Sequence, residues 1–171
     1  LNLGIIVLTN QQEGGAFTSI TNQIKDGYYG ITGTDRVTEY SGGRLAQVTM
    51  ANKIVDSIWK EIAAVKPSDK ANINLFAGTY HDVWFGDITI SLKNNKPWFS
   101  SKRSPKLNGE IFFYKGNNFV VRWVDRSMDA DAFLNFSVNE EGIVAGLKMR
   151  PISPLTDFSY DFQGLDFVKL R

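Results

Sequence analysis

From about residue 75 onward, polar and apolar residues alternate with a period of two, and turn residues recur about every 10 to 15 positions. The clearest runs are Asp-Ile-Thr-Ile-Ser-Leu at residues 87–92 and Asp-Ala-Phe-Leu-Asn-Phe-Ser-Val at residues 131–138. Successive side chains of a strand point to opposite faces of a sheet, so this alternation indicates half-buried strands. Asn- and Gly-rich segments such as 93–96 and 139–142 have the composition of hairpin turns.

Counting the runs between turns predicts about eight antiparallel strands. They lie near 78–82, 86–92, 97–102, 109–114, 119–125, 131–138, 143–149 and 157–170. Eight such strands with one apolar face suit either a closed meander barrel or a small sandwich, and closure removes free strand edges. The predicted fold class is therefore mainly β with α segments, with the β-barrel over residues 71–171.

The first thirty residues have a different pattern. Residues 3–9, Leu-Gly-Ile-Ile-Val-Leu-Thr, are almost continuously apolar, which is typical of a strand buried on both faces. Phe17, Ile20, Ile24 and Tyr28 then follow at helical spacing, with Gly27 and Gly30 as stop signals.

One strand and one helix cannot enclose a core, so residues 1–30 are predicted to be the last strand and helix of a truncated larger domain. The alternative is an N-terminal strand that joins the downstream sheet. A strand left without its domain should be buried by self-association, by domain swapping or against the barrel.

Residues 31–70 are predicted to join these two parts. Residues 31–43 contain Gly33, Gly42 and Gly43 among polar residues, which is a linker composition. A second amphipathic helix is expected over about 44–65, ending at Lys66-Pro67. Its apolar stripe, which includes Ile58, Trp59 and Ile62, indicates a connector packed against a neighbour.

Composition excludes several classes of protein. The 171 residues carry 19 Lys and Arg against 18 Asp and Glu, and a net charge of +1 argues for neither a nucleic-acid nor a membrane-surface partner. The longest apolar run, 5–8, is far shorter than the roughly 20 residues of a membrane span. With no cysteine and a single histidine, His81, disulfide frameworks and multi-histidine or cysteine zinc sites are excluded. The spacing of Gly27, Gly30 and Gly33 fits neither the dinucleotide-binding motif nor the P-loop, and no cofactor is expected.

Two motifs could suggest catalysis. Ser57-Ile-Trp-Lys60 matches the Ser-x-x-Lys pattern, but twelve Ser and twelve Lys in 171 residues give about one match by chance. His81 and Asp82 are adjacent on a strand and therefore point to opposite faces, so we expect His81 to be hydrogen-bonded at the barrel rim. An independent enzyme that uses His81 or Ser57 is therefore a weak hypothesis, placed third after the two functions given at the end of this section.

Two clusters of charged residues are interpreted as structural features and not as binding sites. Asp125, Asp129 and Asp131 lack the spacing and central glycine of a calcium loop, so they predict a hairpin with side-chain-to-backbone bonds. Residues 93–109 hold five basic and no acidic residues beside Trp98. This composition also suits a polyanion surface, but a solvated or docking face is the preferred interpretation.

Aromatic residues in the strands indicate a barrel core. This core is either filled by the side chains themselves or contains a cavity for a small ligand. The candidate binding residues are His81, Trp84, Trp98, Arg122, Trp123 and Tyr160. No catalytic residue is assigned.

Several segments together resemble a known arrangement. Residues 2–10, Asn-Leu-Gly-Ile-Ile-Val-Leu-Thr-Asn, and 25–30, Lys-Asp-Gly-Tyr-Tyr-Gly, resemble the last strand and C-terminal helix of class C β-lactamase and penicillin-binding-protein-like serine hydrolases. Residues from Phe76 onward resemble the domain of unknown function that follows the catalytic domain in many bacterial members. The matching stretches are 78–80, 84–89, 119–123, 129–133, 153–154 and 157–162.

The resemblance implies a lipocalin-like barrel appended to a periplasmic or secreted hydrolase that acts on amide or ester bonds. In that family the catalytic motifs precede the segment that matches residues 3–9, so no residue here inherits a catalytic role. The main hypothesis is a noncatalytic accessory domain that docks on the upstream catalytic domain of the same protein and shapes access to it. The alternative is a lipocalin-like module that binds a small apolar ligand or a cell-wall fragment.

Overall fold

A computed structural model describes residues 2–10 and 13–170 of the chain. The chain divides into two compact units, Leu1–Ala51 and Asn52–Arg171. The division falls within a long helix, so each unit contains part of it.

The first unit is a pair of helices, α1 (Gly14–Tyr29) and the first part of α2 (Arg36–Ala64). The Glu13 side chain accepts a bond from the Gly15 N–H at the start of α1, and Gly30 ends it with φ 66°, a left-handed conformation that glycine adopts readily. Arg36 bonds to Asp26 at 2.7 Å and Arg44 to Glu13 at 2.7 Å. These ion pairs join the two helices.

In this chain residues 3–9 do not form a strand. Residues 2–9 are irregular, and Ile6 and Leu8 are exposed. A buried strand needs a sheet edge to pair with, and the barrel of this chain is closed and offers none. The predicted burial of this segment by self-association or swapping stays a prediction.

Helix α2 begins eight residues before its predicted start at 44, so residues 36–43 are helical rather than a linker. Asp35 supplies the start signal, because its carboxylate accepts the Thr38 N–H at 3.0 Å and the Thr38 hydroxyl at 2.6 Å. Gly42 and Gly43 lie within the helix, where each costs only about 1 kcal/mol relative to alanine.

The second unit contains a closed antiparallel barrel in which the strands follow chain order and β8 pairs with β1. In residues 2–10 and 13–170 the strands are β1 Gly78–Asp82, β2 Gly86–Lys93, β3 Lys96–Ser101, β4 Asn108–Lys115, β5 Asn118–Trp123, β6 Ala132–Val138, β7 Val144–Pro151 and β8 Asp166–Lys169. The meander barrel, rather than the sandwich, is confirmed. The last strand is much shorter than the predicted 157–170, because residues 152–165 form a loop with a 3-10 turn at Phe162–Gly164.

Side chains fill the barrel interior. Tyr80, Phe99, Phe119, Trp123 and Phe167 are each at most 1% exposed. The Trp123 indole N–H donates to the Ala130 carbonyl at 2.6 Å, so its buried polar atom is satisfied.

Phe76 packs inside the barrel at the end where β1 begins. Its ring lies 4.9 Å from the ring centroids of both Phe119 and Phe136. The Tyr80 hydroxyl donates to the Phe76 carbonyl at 2.6 Å, which holds this residue in place.

The last part of α2 packs on the outer wall of the barrel. Val55, Ile58, Trp59 and Ile62 lie against a small cluster of Val120, Phe133 and Ile152. The Trp59 and Phe112 rings meet edge to face at 5.2 Å. Glu61 accepts bonds from the Tyr114 hydroxyl at 3.0 Å and from the Lys115 ammonium at 2.6 Å. The predicted packing of this helix against a neighbour is thereby accounted for by the barrel itself.

Neither α-helix that the structure describes combines the length and apolar character needed to cross a bilayer.

Candidate functional site at the loop end of the barrel

In an antiparallel meander, the connections after β1, β3, β5 and β7 meet at the same end of the barrel. Here these connections are residues 83–85, 102–107, 124–131 and 152–165, and we call the end that they form the loop end. A cavity of about 530 Å³ lies between them. This volume falls within the roughly 300–1,000 Å³ of small-molecule sites.

The floor of this loop-end cavity is formed by apolar side chains that continue into the barrel core. The Phe85 ring lies 5.9 Å from Phe167, and the Phe162 ring lies 6.2 Å from Trp123. Tyr160 lies 5.6 Å from Phe162 and forms one wall, and Trp84 contributes to the other. The remaining lining residues are Arg103, Ser104, Pro105, Lys106, Leu107, Met128, Ser159, Asp161 and Leu165.

Exposed apolar side chains surround this cavity. Val83 is 97% exposed, Phe158 79% and Trp84 63%. Val124 and Leu155, in the neighbouring connections, are also exposed. An apolar surface of this kind, concentrated on the loops of one end, is typical of a binding surface.

Asp82 positions the β1–β2 turn. Its buried carboxylate accepts the N–H groups of Trp84 at 2.9 Å, Phe85 at 2.7 Å and Asp166 at 2.9 Å. Burial alone would raise the pKa of Asp82, but these three donors together lower it below its ordinary value. The carboxylate therefore holds two lining residues in place and ties their turn to the start of β8.

The β3–β4 connection brings basic groups to the cavity. Arg103 donates from Nη1 to the Trp84 carbonyl at 2.7 Å, which orients its guanidinium beside the β1–β2 turn. The Ser104 N–H bonds to the Ser101 hydroxyl at 3.0 Å and steadies the loop. Lys106 lies further along the same lining.

Acidic residues lie in the connections after β5 and β7. Asp161 lines the cavity, and burial followed by the charges of Asp125 and Asp157 raises the pKa of the Tyr160 phenol. Tyr160 therefore stays a neutral hydrogen-bond donor at physiological pH. The site therefore combines aromatic side chains with both basic and acidic lining residues.

The structure brings together two of the six candidate binding residues, Trp84 and Tyr160, which both line the cavity. Trp98 and Arg122 lie on the outer wall, where Trp98 is covered by the Lys93 ammonium at 4.5 Å and Arg122 lies 5.3 Å from the Trp59 ring. Trp123 is part of the core.

His81 is exposed on β1 and shares a 2.7 Å hydrogen bond with Asp87, whereas Asp82 is buried on the other face. The prediction that these two neighbours point to opposite faces of the strand is confirmed. Ser57 and Lys60 are exposed on α2.

The acidic turn at residues 125–131 has a structural role. Both guanidinium Nη atoms of Arg126 bond to the Asp131 carboxylate, at 2.5 and 2.9 Å, and Asp131 also accepts the Trp123 N–H at 3.2 Å. Asp125 accepts the Ser127 N–H at 3.1 Å. In the described part of the chain, no three acidic or histidine side chains are placed to hold a metal ion.

Phe85, Arg103, Lys106 and Phe162 line the cavity but were not among the candidate residues. The sequence carries a weak signal for Arg103 and Lys106, because both belong to the basic segment 93–109. Phe162 belongs to an alternating segment with the pattern of a strand, and nothing in that pattern indicates a loop.

No curated protein and no solved structure matches the chain. Residues 63–169, which span the end of α2 and the barrel, match the family described as a domain of unknown function, DUF3471. The match covers more than half of the 171 residues and includes the filled barrel and its loop-end cavity, so the chain belongs to the DUF3471 family.

Proposed function

We propose that this chain is a noncatalytic accessory module of a serine β-lactamase-like hydrolase, of the penicillin-binding-protein, esterase or peptidase type. In this proposal the module docks on the upstream catalytic domain of the same protein and shapes access to its active site. The resemblance of residues 2–10 and 25–30 to that family supports this parent, and the same resemblance supports a periplasmic or secreted location.

The observation that carries the proposal is the unfilled apolar face of the first unit. Phe17, Ile20, Ile24 and Tyr28 lie on one stripe of α1 and are each more than 40% exposed. Among the described residues of this unit only Ser19, Asp26 and Ala51 are buried. Most helix stability comes from packing an apolar face, so this exposed face supports packing against another domain.

A catalytic domain is the occupant that best explains this face. The exposed Ile6 and Leu8 belong to the segment that resembles the last strand of the hydrolase domain, and the α1 stripe belongs to the helix that resembles the one after it. In such a domain the strand would pair within the sheet and the helix would pack on one face of it. The side chains that are exposed here are those that such packing would bury.

The first test is to read the coding sequence upstream of Leu1 in the same frame. We expect roughly 300 further codons, a length of one to two domains, that contain Ser-x-x-Lys, Tyr-x-Asn or Tyr-x-Ser, and His-x-Gly or Lys-Thr-Gly. A start codon directly before Leu1, or an upstream domain without these motifs, would overturn the proposed parent.

A second test uses Ile24→Asp in the joined protein, with Lys25→Asp as the matched control. Both residues are exposed in this chain, so neither change should greatly alter its unfolding here. In the joined protein Ile24→Asp should cost about 2 kcal/mol or more, because it would bury an unpaired charge. Equal effects of the two variants in the joined protein would contradict packing on α1.

The accessory role itself is tested by deleting residues 71–171 from the joined protein. We expect the hydrolase to keep its catalytic residues but to change in kcat/KM or in its selectivity between small and large substrates. Unchanged activity, stability and selectivity would exclude a role in substrate access.

A second candidate function, a binding module for a small ligand, is supported by the loop-end cavity. The aromatic core occupies the barrel interior, so a ligand within the barrel, as in a hollow lipocalin-like barrel, is not the arrangement that this fold supports. The 530 Å³ cavity with its aromatic floor supports binding at the loop end instead.

A further inference from the structure

We propose that the loop-end cavity binds an aromatic carboxylate, with the ring between Trp84 and Tyr160 over the Phe162 floor and the carboxylate on Arg103 and Lys106. This inference rests on the second candidate function, because it names the ligand class of a binding module. It does not require the proposed parent hydrolase.

The lining favours a flat apolar group. Phe85, Tyr160 and Phe162 present aromatic rings to the cavity, and Trp84 adds a fourth at its edge. Aromatic rings pack favourably on one another in offset or edge-to-face arrangements, as Phe85 and Phe167 do at 5.9 Å in the floor. An aromatic ligand would cover the exposed Trp84 ring and the half-buried Phe85 and Tyr160 rings.

The basic side of the cavity favours an anion. Arg103 uses one Nη1 donor for the Trp84 carbonyl, which fixes the guanidinium without neutralising it. In the described part of the chain no carboxylate lies within ion-pair distance of Arg103 or of Lys106, although the Lys106 charge acts on Asp125 in the neighbouring β5–β6 connection. The connection 102–107 holds three basic residues and no acidic one.

A carboxylate matches this arrangement because a guanidinium presents its N–H donors as a fork that two carboxylate oxygens can accept. Asp161, which also lines the cavity, would repel a second anionic group. The cavity should therefore prefer a monoanion whose carboxylate points toward residues 103–106 and whose other end carries no negative charge.

Such a group has two sources, a small free acid or a peptide that ends in an aromatic residue. The experiment uses the whole chain and four probes: N-acetyl-phenylalanine, its amide, a five-residue peptide ending in Phe, and the same peptide amidated. Binding is measured by calorimetry and by the change in tryptophan fluorescence. We expect each acid to bind at least about tenfold more tightly than its amide.

Variants locate the carboxylate. Lys106→Gln removes the ammonium charge, and Arg103→Gln removes the guanidinium. Each should weaken binding of the acids about fivefold or more and leave binding of the amides nearly unchanged. Lys102→Gln is the matched control, because Lys102 is exposed and does not line the cavity, and it should bind like the parent chain.

Tighter binding of either acid supports the inference, and the better of the two identifies the source of the carboxylate. Equal binding of acid and amide would overturn the carboxylate inference while leaving a binding module. Circular dichroism checks that the chain is folded. If no probe binds to the folded chain at millimolar concentration, the inference and the binding-module candidate both fail. Arg103 also bonds to the turn that contains Trp84. If Arg103→Gln unfolds for this reason, the binding result of Lys106→Gln decides.

Discussion

Asp82 shows at the residue scale how one buried carboxylate connects fold and site. It accepts backbone N–H groups from the β1–β2 turn and from Asp166, which is 84 positions away in the chain. Period-two alternation predicted that Asp82 and His81 would face opposite sides of β1. It could not predict the bond to Asp166, because that pairing exists only once the barrel closes.

Replacing Asp82 with Asn should destabilise the barrel by about 1–3 kcal/mol. The amide has one acceptor oxygen in place of two, so at least one of the three backbone donors loses its partner. Urea denaturation followed by circular dichroism measures the change. His81→Ala, on the exposed side of the same strand, is the control and should cost less than about 0.5 kcal/mol.

The difference between these two variants should depend on pH. The folded pKa of Asp82 is lowered, so the stability that its carboxylate contributes is fully present above the unfolded pKa of about 3.9 and is lost as pH falls through the folded value. The gap in unfolding free energy between the parent chain and Asp82→Asn should therefore be constant from pH 7 to 5 and shrink below pH 4. A gap that widened in acid would contradict this assignment.

At the element scale, the last part of α2 and the outer barrel wall form one packed layer. Trp59 is its central contact, because it meets the Phe112 ring at 5.2 Å and lies beneath Arg122 at 5.3 Å. The ion pair between Glu61 and Lys115 is largely exposed and contributes little by comparison.

Trp59→Ala should lower the free energy of unfolding by about 1–3 kcal/mol, less than the 3–5 kcal/mol typical of a core tryptophan, because Trp59 is only half-buried. Thermal unfolding by circular dichroism measures it. Lys60→Ala changes the adjacent, exposed residue of the same helix and should leave the midpoint within a degree or two. A comparable loss in both variants would show that helix propensity, rather than packing, accounts for the effect.

The sequence predicted most elements well because each strand is bounded by a turn and has one buried face. The exceptions have specific causes. Residues 157–162 alternate aromatic and polar residues like a strand, yet Phe158 is exposed and Phe162 is buried in a loop. Gly42 and Gly43 suggested a linker, but the Asp35 cap and the ion pair between Arg36 and Asp26 stabilise the helix that contains them.

At the scale of the whole molecule, the barrel closes through its shortest strand. β8 has four residues, and within residues 13–170 it pairs with β1 at two positions, Tyr80 with Lys169 and His81 with Val168. The Leu170 N–H adds a bond to the Thr79 carbonyl at 2.8 Å. Closure therefore depends more on burial of the β8 side chains than on the backbone hydrogen bonds between β1 and β8.

Phe167→Ala should cost about 3–5 kcal/mol and open the seam between β1 and β8, because Phe167 is 0% exposed. Val168→Ala is the matched control on the next residue, which is 60% exposed on the outer face, and should cost little. Hydrogen exchange of the Leu170 amide, which bonds to the Thr79 carbonyl across the seam, reports on the seam. Exchange that is unchanged in Phe167→Ala would mean that the ladder alone holds the barrel closed.

The candidate site could be predicted only in part, for a reason that belongs to the whole barrel. Trp84 and Tyr160 were identified from their residue type, but they lie 76 positions apart and meet only because alternate connections of an eight-stranded meander share one end. Which loops fold inward over that end depends on bonds such as Arg103 to the Trp84 carbonyl. The sequence pattern carries no information about such bonds.

The chain divides into its two units after Ala51, and the second unit should fold without the first. The core of the second unit, both inside the barrel and beneath α2, consists of residues 55–167. A chain shortened to residues 52–171 should therefore unfold cooperatively with nearly the same midpoint as the full chain. It should also bind less of an apolar dye such as ANS, because it lacks the exposed α1 face.

A chain shortened further, to residues 70–171, is the control for this prediction. It keeps every strand but loses the helical turns that cover Val120, Phe133 and Ile152. It should be several degrees less stable and bind more dye, since it exposes this cluster. If residues 52–171 failed to fold while the full chain folded, the first unit would have to stabilise the barrel through contacts other than those of α2. A stable 52–171 chain would instead establish the barrel with its outer helix as the independent folding unit of this protein.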